Sequence, residues 1–284
     1  VRLTTRLLHD WPMLAIVLSL LFCLLAASMI DAEHYIIPRS LSYLPAVIGV
    51  VLHTAFGNVG GPLDVSVGPT GLAWATGGLV GWLLALGLLR VEVLRQSFSA
   101  GMPDLEKDGG EAWPPGLIRR EILWEVAFLA LPIGLGLAAA WYTINIDGDV
   151  FSRLAEIRPV ASAGGAILGG LVGAGVIWVI RVAGSIGFGR EAMGLGDVDL
   201  MFGVGCCIGA GPASIAVFPA AMVGLVFALI RLIRGGGREM PFGPSLATAA
   251  LLLLIFWNPL ADWLFPGLLG LGIVLGDLAP YVGL

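Results

Sequence analysis

Long apolar runs separated by short polar stretches dominate this chain. They cover Pro12–Ile30, Leu44–Phe56, Thr70–Leu89, Ile122–Tyr142, Val160–Ile180, Leu200–Gly211, Ala213–Ile230 and Ser245–Trp257. The runs are rich in Leu, Ala and Gly and none alternates apolar with polar residues, so they predict helices rather than strands. Crossing a bilayer takes about 20 apolar residues. The pattern therefore predicts an all-α polytopic transmembrane helix bundle with about eight spans. Leu264–Leu275 is a ninth candidate, spanning or interfacial, and the second and sixth runs are short. No small-residue cleavage site follows the first run, which reads as a span rather than a signal peptide.

Composition agrees with the pattern. Hydrophobic residues make up 58% of the 284 and charged residues 12%, against about 25% charged in soluble domains. The mean hydropathy is +0.95. These values exclude a soluble enzyme, a disordered chain and a nucleic-acid binder. The 42 glycines suit close helix packing in a membrane. The net charge of −5 adds little, because the placement of charge carries the information. If the runs alternate, eleven of the fifteen Lys and Arg fall on the side of Arg39. They include Arg90, Arg95, Arg181, Arg190 and Arg231, while Arg2, Arg6, Arg153 and Arg158 fall on the other side. The positive-inside rule then makes the Arg39 side cytoplasmic.

Two polar stretches interrupt the pattern. Arg90–Glu121 carries mixed charge and is broken by Pro103, Pro114 and Pro115, so it reads as a solvated cytoplasmic excursion. Asn145–Asp149 (N-I-D-G-D) lacks the closing Glu of a calcium loop. The cysteines Cys23, Cys206 and Cys207 and the histidines His9, His34 and His53 show no metal-ligand spacing. Neither a metal nor a cofactor is expected.

Most acidic residues fall in loops, where water accounts for them. Asp31 and Asp197 do not. Asp31 ends the first apolar run and Asp197 directly precedes the sixth. An even number of runs lies between them, so both face one side at similar depth. If their helices are neighbours, two carboxylates converge in a partly dry site. Like charges so close cannot both ionise, and the pair shares a proton. Such a pair can hydrolyse a peptide bond by acid–base chemistry without a metal or a covalent nucleophile. Gly194 and Gly196, in G-L-G-D, would let backbone approach closely just before Asp197.

With these blocks the sequence resembles type IV prepilin peptidases, membrane aspartic proteases of the G-x-G-D type, in their peptidase part. The matching blocks are I-D-A-E-H-Y-I-I-P (Ile30–Pro38), G-R-E-A-M-G-L-G-D-V-D-L-M (Gly189–Met201) and E-M-P-F-G-P (Glu239–Pro244). The resemblance implies that Asp31 and Asp197 are the catalytic pair. It implies substrate-binding or site-shaping roles for Gly194, Gly196, Pro38, Pro241, Phe242, Gly243 and Pro244. The implied activity is removal of the short basic leader of prepilin-like proteins, cut after a Gly at the cytoplasmic face of the inner membrane. The implied partners are prepilin or pseudopilin substrates of type IV pilus and protein secretion systems, with membrane lipid around the protein.

The sequence also departs from the family pattern. Arg39 stands where many members have Asp or Asn, and Asp199 where many have Lys. The aspartates are further apart than is typical, through an insertion at 90–159 that holds the cytoplasmic loop and one span. Residues 1–89 and 160–284 then form the two parts of the peptidase domain. The 284 residues show no four-cysteine segment of the kind associated with N-methylation from S-adenosylmethionine, so the expectation here is peptidase chemistry alone. Two competing readings are an ion-coupled transporter, whose acids would lie near the bilayer midplane, and an inactive membrane scaffold.

Overall fold

A computed structural model describes residues 7–34, 36–57, 65–95, 97, 115–189, 191–233, 242–257, 259–260 and 262–263. Pro241, Arg190, the stretch Leu264–Leu275 and most of the polar segment after Arg95 lie outside the described residues. Among the described residues all regular structure is helical. The helices are α1 (Leu7–His34), α2 (Arg39–Phe56), α3 (Pro69–Arg90), α4 (Pro115–Asn145), α5 (Asp149–Glu156), α6 (Arg158–Phe188), α7 (Leu195–Ile208), α8 (Ala210–Ile215), α9 (Val217–Ile233) and α10 (Gly243–Trp257).

Helices α1, α2, α3, α4 and α6 are long and apolar enough to cross a membrane. The last three predicted crossings fall on shorter helices. Gly209, at φ +83°, ends α7, and its N–H bonds to the Gly205 carbonyl. That backbone conformation favours glycine and breaks the sixth run from the seventh. Around the bundle, Phe22, Leu25, Met29, Leu83 and Leu225 point outward and stay exposed. An apolar outer face is what lipid requires.

The turn after α1 sets up the site. Pro38 is extended and cannot continue α1, so the chain reverses into α2. Trp11 packs edge-on against Phe56, with ring centres 4.9 Å apart, and pins the far ends of α1 and α2 together. One stripe of α1 is buried: Ile16, Leu20, Leu24 and Ala27. Asp31 follows at the next helical interval and continues that stripe into the bundle.

Helix α7 runs through the middle, between α2 and α6. Glycines allow the approach. A methyl group on Gly205 would overlap the Gly169 carbonyl of α6, and one on Gly203 would overlap the Ser42 carbonyl of α2. Val198, Leu200, Met201, Val204 and Ile208 of α7 are almost wholly buried. They share a core with Leu246, Ala250 and Leu253 of α10.

Candidate active site

Four helix ends meet at one end of the bundle: the C-terminus of α1 and the N-termini of α2, α7 and α10. Asp31 is 6% exposed and Asp197 8%. The α1–α2 turn meets the start of α7, where an added methyl on Gly196 would sit 3.0 Å from Cβ of Ile37. The start of α10 meets α1. There the backbone N–H of Gly243 donates to Oδ2 of Asp31 at 2.9 Å. Side-chain bulk is excluded at that point, because a methyl on Gly243 would lie 2.6 Å from the same oxygen.

Asp197 occupies the first turn of α7, ahead of the apolar run. Burial pushes its carboxyl up to about 7, and the charge of Asp31 adds to the rise. The Arg181 guanidinium and a backbone hydrogen bond from Gly194 oppose the shift without cancelling it. The two carboxylates are thus near enough to act on one another. Near neutral pH one of them can hold a proton while the other stays ionised, as acid–base catalysis by a carboxylate pair requires.

The chain is similar to prepilin leader peptidases. It is 29% identical over 138 residues to a prepilin leader peptidase/N-methyltransferase of Aeromonas salmonicida, covering 48% of this chain and 45% of that protein. It is 34% identical over 131 residues to one from Dichelobacter nodosus, covering 45% and 40%. To a type 4 prepilin-like proteins leader peptide-processing enzyme of Escherichia coli it is 28% identical over 182 residues, covering 63% and 55%. The chain spans about half the length of the curated relatives it matches. No family model matches it, and no solved structure matches at a significant level.

Against the prepilin peptidase pattern, the two departures face each other. Arg39 Nε lies 3.5 Å from Oδ2 of Asp199, and the Tyr43 hydroxyl donates to Oδ1 of Asp199 at 3.5 Å. In this chain the two departures form a cation–anion pair. Burial raises the Asp199 carboxyl, while Arg39 and the Tyr43 hydrogen bond pull it down. Asp199 therefore belongs to the α2 face of α7, apart from Asp31.

The other expected site residues divide. Gly196 has the close neighbour its lack of a side chain suggests, whereas a methyl on Gly194 would meet nothing nearer than 3.8 Å. Phe242 packs against the core, and the Pro244 carbonyl accepts a hydrogen bond from Thr248.

Three charged residues correct the sequence reading. Arg181 is not a loop residue: it lies within α6 and is 0% exposed. Glu125 lies inside α4, within a predicted span, and is 1% exposed. Glu121, read as the end of a solvated stretch, is also helical and buried. Arg181 Nε pairs with Oε1 of Glu125 at 2.9 Å, and its Nη1 with Oε1 of Glu191 at 2.6 Å. Nη1 also donates to the Met193 carbonyl. The signal was present in the sequence: a lone Glu in one apolar run and an Arg closing another are costly in a membrane unless they pair.

Proposed function

We propose that this chain is a membrane aspartic endopeptidase that removes the leader peptide of type IV prepilin-like proteins, cutting after a Gly at the cytoplasmic membrane face. The observation that carries the reading is that two buried carboxyls, Asp31 and Asp197, lie where helix ends meet and act on one another's charge. Similarity to prepilin leader peptidases supports the choice of substrate. In this reading the short helices α7, α8–α9 and α10 complete eight crossings beside the five long ones.

The chemistry follows from the pair. Asp31, fixed by the Gly243 N–H, is the ionised member and takes a proton from a water. The water oxygen attacks the scissile carbonyl carbon. Asp197, which holds its proton near neutral pH, donates it towards the carbonyl oxygen as the tetrahedral centre forms. Collapse of that centre breaks the C–N bond: the proton on Asp31 passes to the departing amine, and a hydroxyl proton of the tetrahedral centre returns to Asp197 as the carbonyl re-forms. A substrate whose hydrophobic helix remains in the bilayer would present its leader junction at the depth of these helix ends.

The test is to incubate the purified chain, in detergent or nanodiscs, with a prepilin-like peptide and map the products by mass spectrometry. A single cut after Gly is expected. Asp31→Asn and Asp197→Asn should each lower the rate by at least about 100-fold, and the double variant should be no worse than either, because members of a catalytic unit are not additive. Chelators should leave the rate unchanged. Substantial cleavage by either single variant would overturn the assignment.

A further inference from the structure

The span in the insertion does more than pack beside the peptidase domain. Its residue Glu125 is buried among three donors: the Arg181 guanidinium at 2.9 Å, the Ser97 hydroxyl at 2.8 Å and the Trp178 indole N–H at 3.1 Å. Phe128, one turn further along α4, stacks on Trp178 with ring centres 5.0 Å apart. Arg181 in turn reaches the segment that leads into G-L-G-D, through the Glu191 carboxylate and the Met193 carbonyl. A continuous line of polar contacts, buried at Glu125 and Arg181 and partly open to solvent at Glu191, thus runs from α4 through α6 to the residues just before Asp197.

We propose that Arg181, held by Glu125 of α4 and by Glu191, is a positioning residue that fixes the 191–196 approach to Asp197 and sets the electric field at its carboxyl. The inference rests on the peptidase reading for its role in catalysis, but the field itself can be measured without substrate. A planar guanidinium suits the task, because it bonds several acceptors in one fixed geometry and stays charged when buried. Its carboxylate partners keep that charge from acting in full on Asp197. The insertion then supplies part of the active-site electrostatics.

The charged groups around Asp197 are Asp31 on α1, Arg181 on α6, and Glu125 on α4 and Glu191 acting through Arg181. The Arg39–Asp199 pair and Tyr43 lie on the α2 side. Removing the cation should make Asp197 harder to ionise. Neutralising Glu125 should leave more of the Arg181 charge free to act and make Asp197 easier to ionise. A purely structural role predicts loss of folding or rate, with no opposed shifts.

The experiment follows the protonated-carboxyl infrared band of the full chain in detergent across pH, with Asp197→Asn subtracted to isolate Asp197. Arg181→Gln should raise the titration midpoint by about one unit, and Glu125→Gln should lower it by a smaller amount. Arg181→Lys, which keeps the charge but not the fork, should leave the midpoint near wild type and still slow peptide cleavage. If Arg181→Gln does not fold, Glu125→Gln decides: a lower midpoint supports the proposal and an unchanged or higher one overturns it. Unchanged midpoints in both neutral variants would overturn it as well. Absence of cleavage by the wild-type chain would instead overturn the peptidase reading, which the titration does not measure.

Discussion

At the scale of single residues, the contrast between two glycines is informative. Gly243 brings its N–H against Asp31 and leaves no room for a methyl, whereas a methyl on Gly194 would make only ordinary contacts, at 3.8 Å or more. Gly243→Ala should therefore cut peptide cleavage about 100-fold, in line with loss of one preorganised donor at a reacting group. Gly194→Ala should cost less than about tenfold. Steady-state rates on one peptide separate the two, and equal losses would mean that Gly243 does not hold Asp31. Arg39 and Asp199 call for a smaller effect. Their pair sits at the surface, with the Arg39 side chain 67% exposed, and exposed pairs contribute about 0–1 kcal/mol. The buried contacts of Arg181 differ in kind, since breaking one partner of such a pair costs about 3–5 kcal/mol.

At the scale of elements, the position of Asp197 depends on how tightly α7 is gripped. The backbones of α6 and α7 touch at Gly169 and Gly205, and those of α2 and α7 at Ser42 and Gly203. Side chains at these points would push α7 away from both neighbours, and overpacking a close-packed core typically costs about 1–3 kcal/mol. Gly205→Val should accordingly lower the melting temperature in detergent and reduce cleavage. Gly175→Val on α6, where an added methyl meets nothing within 4 Å, should do neither. Equal behaviour of the two variants would show that the contact does not govern α7. The glycine excess of the sequence thus resolves into a few positions where backbones meet and others where nothing requires a glycine.

For the whole molecule, burying Asp197 carries a pH-dependent cost in stability. Its carboxyl is raised to about 7, above the ordinary carboxylate value, so the folded state resists its ionisation. The stabilising contribution is complete at pH values below the ordinary carboxylate range and declines as pH rises towards and through about 7. Asp197→Asn should therefore raise the melting temperature more at pH 8 than at pH 4, by thermal denaturation in one detergent. An equal gain at both pH values would contradict the shift. The same group should place the alkaline limb of the cleavage profile near pH 7, where the pair loses its shared proton.

The helical, membrane-type character of this molecule was legible in the sequence, because apolar runs of bilayer length leave few alternatives to helices. Asp31 and Asp197 were legible for a related reason: a carboxylate at the edge of an apolar run is costly, and the parity of the runs puts both on one side. The family resemblance added Gly243 without a role, and only the fold shows its N–H on Asp31. Arg181 and Glu125 show where sequence reading stopped. Each could be seen as a charge in or beside an apolar run, but their pairing depends on which faces of α4 and α6 meet, and helix rotation is set by packing. Arg39 and Asp199, two separate departures along the chain, became a pair only once α2 lay along α7. Periodicity and the cost of burying polar groups act locally and can be read along the chain. Distances between helices far apart in sequence follow from close packing of the whole bundle, and the tertiary structure alone decides them.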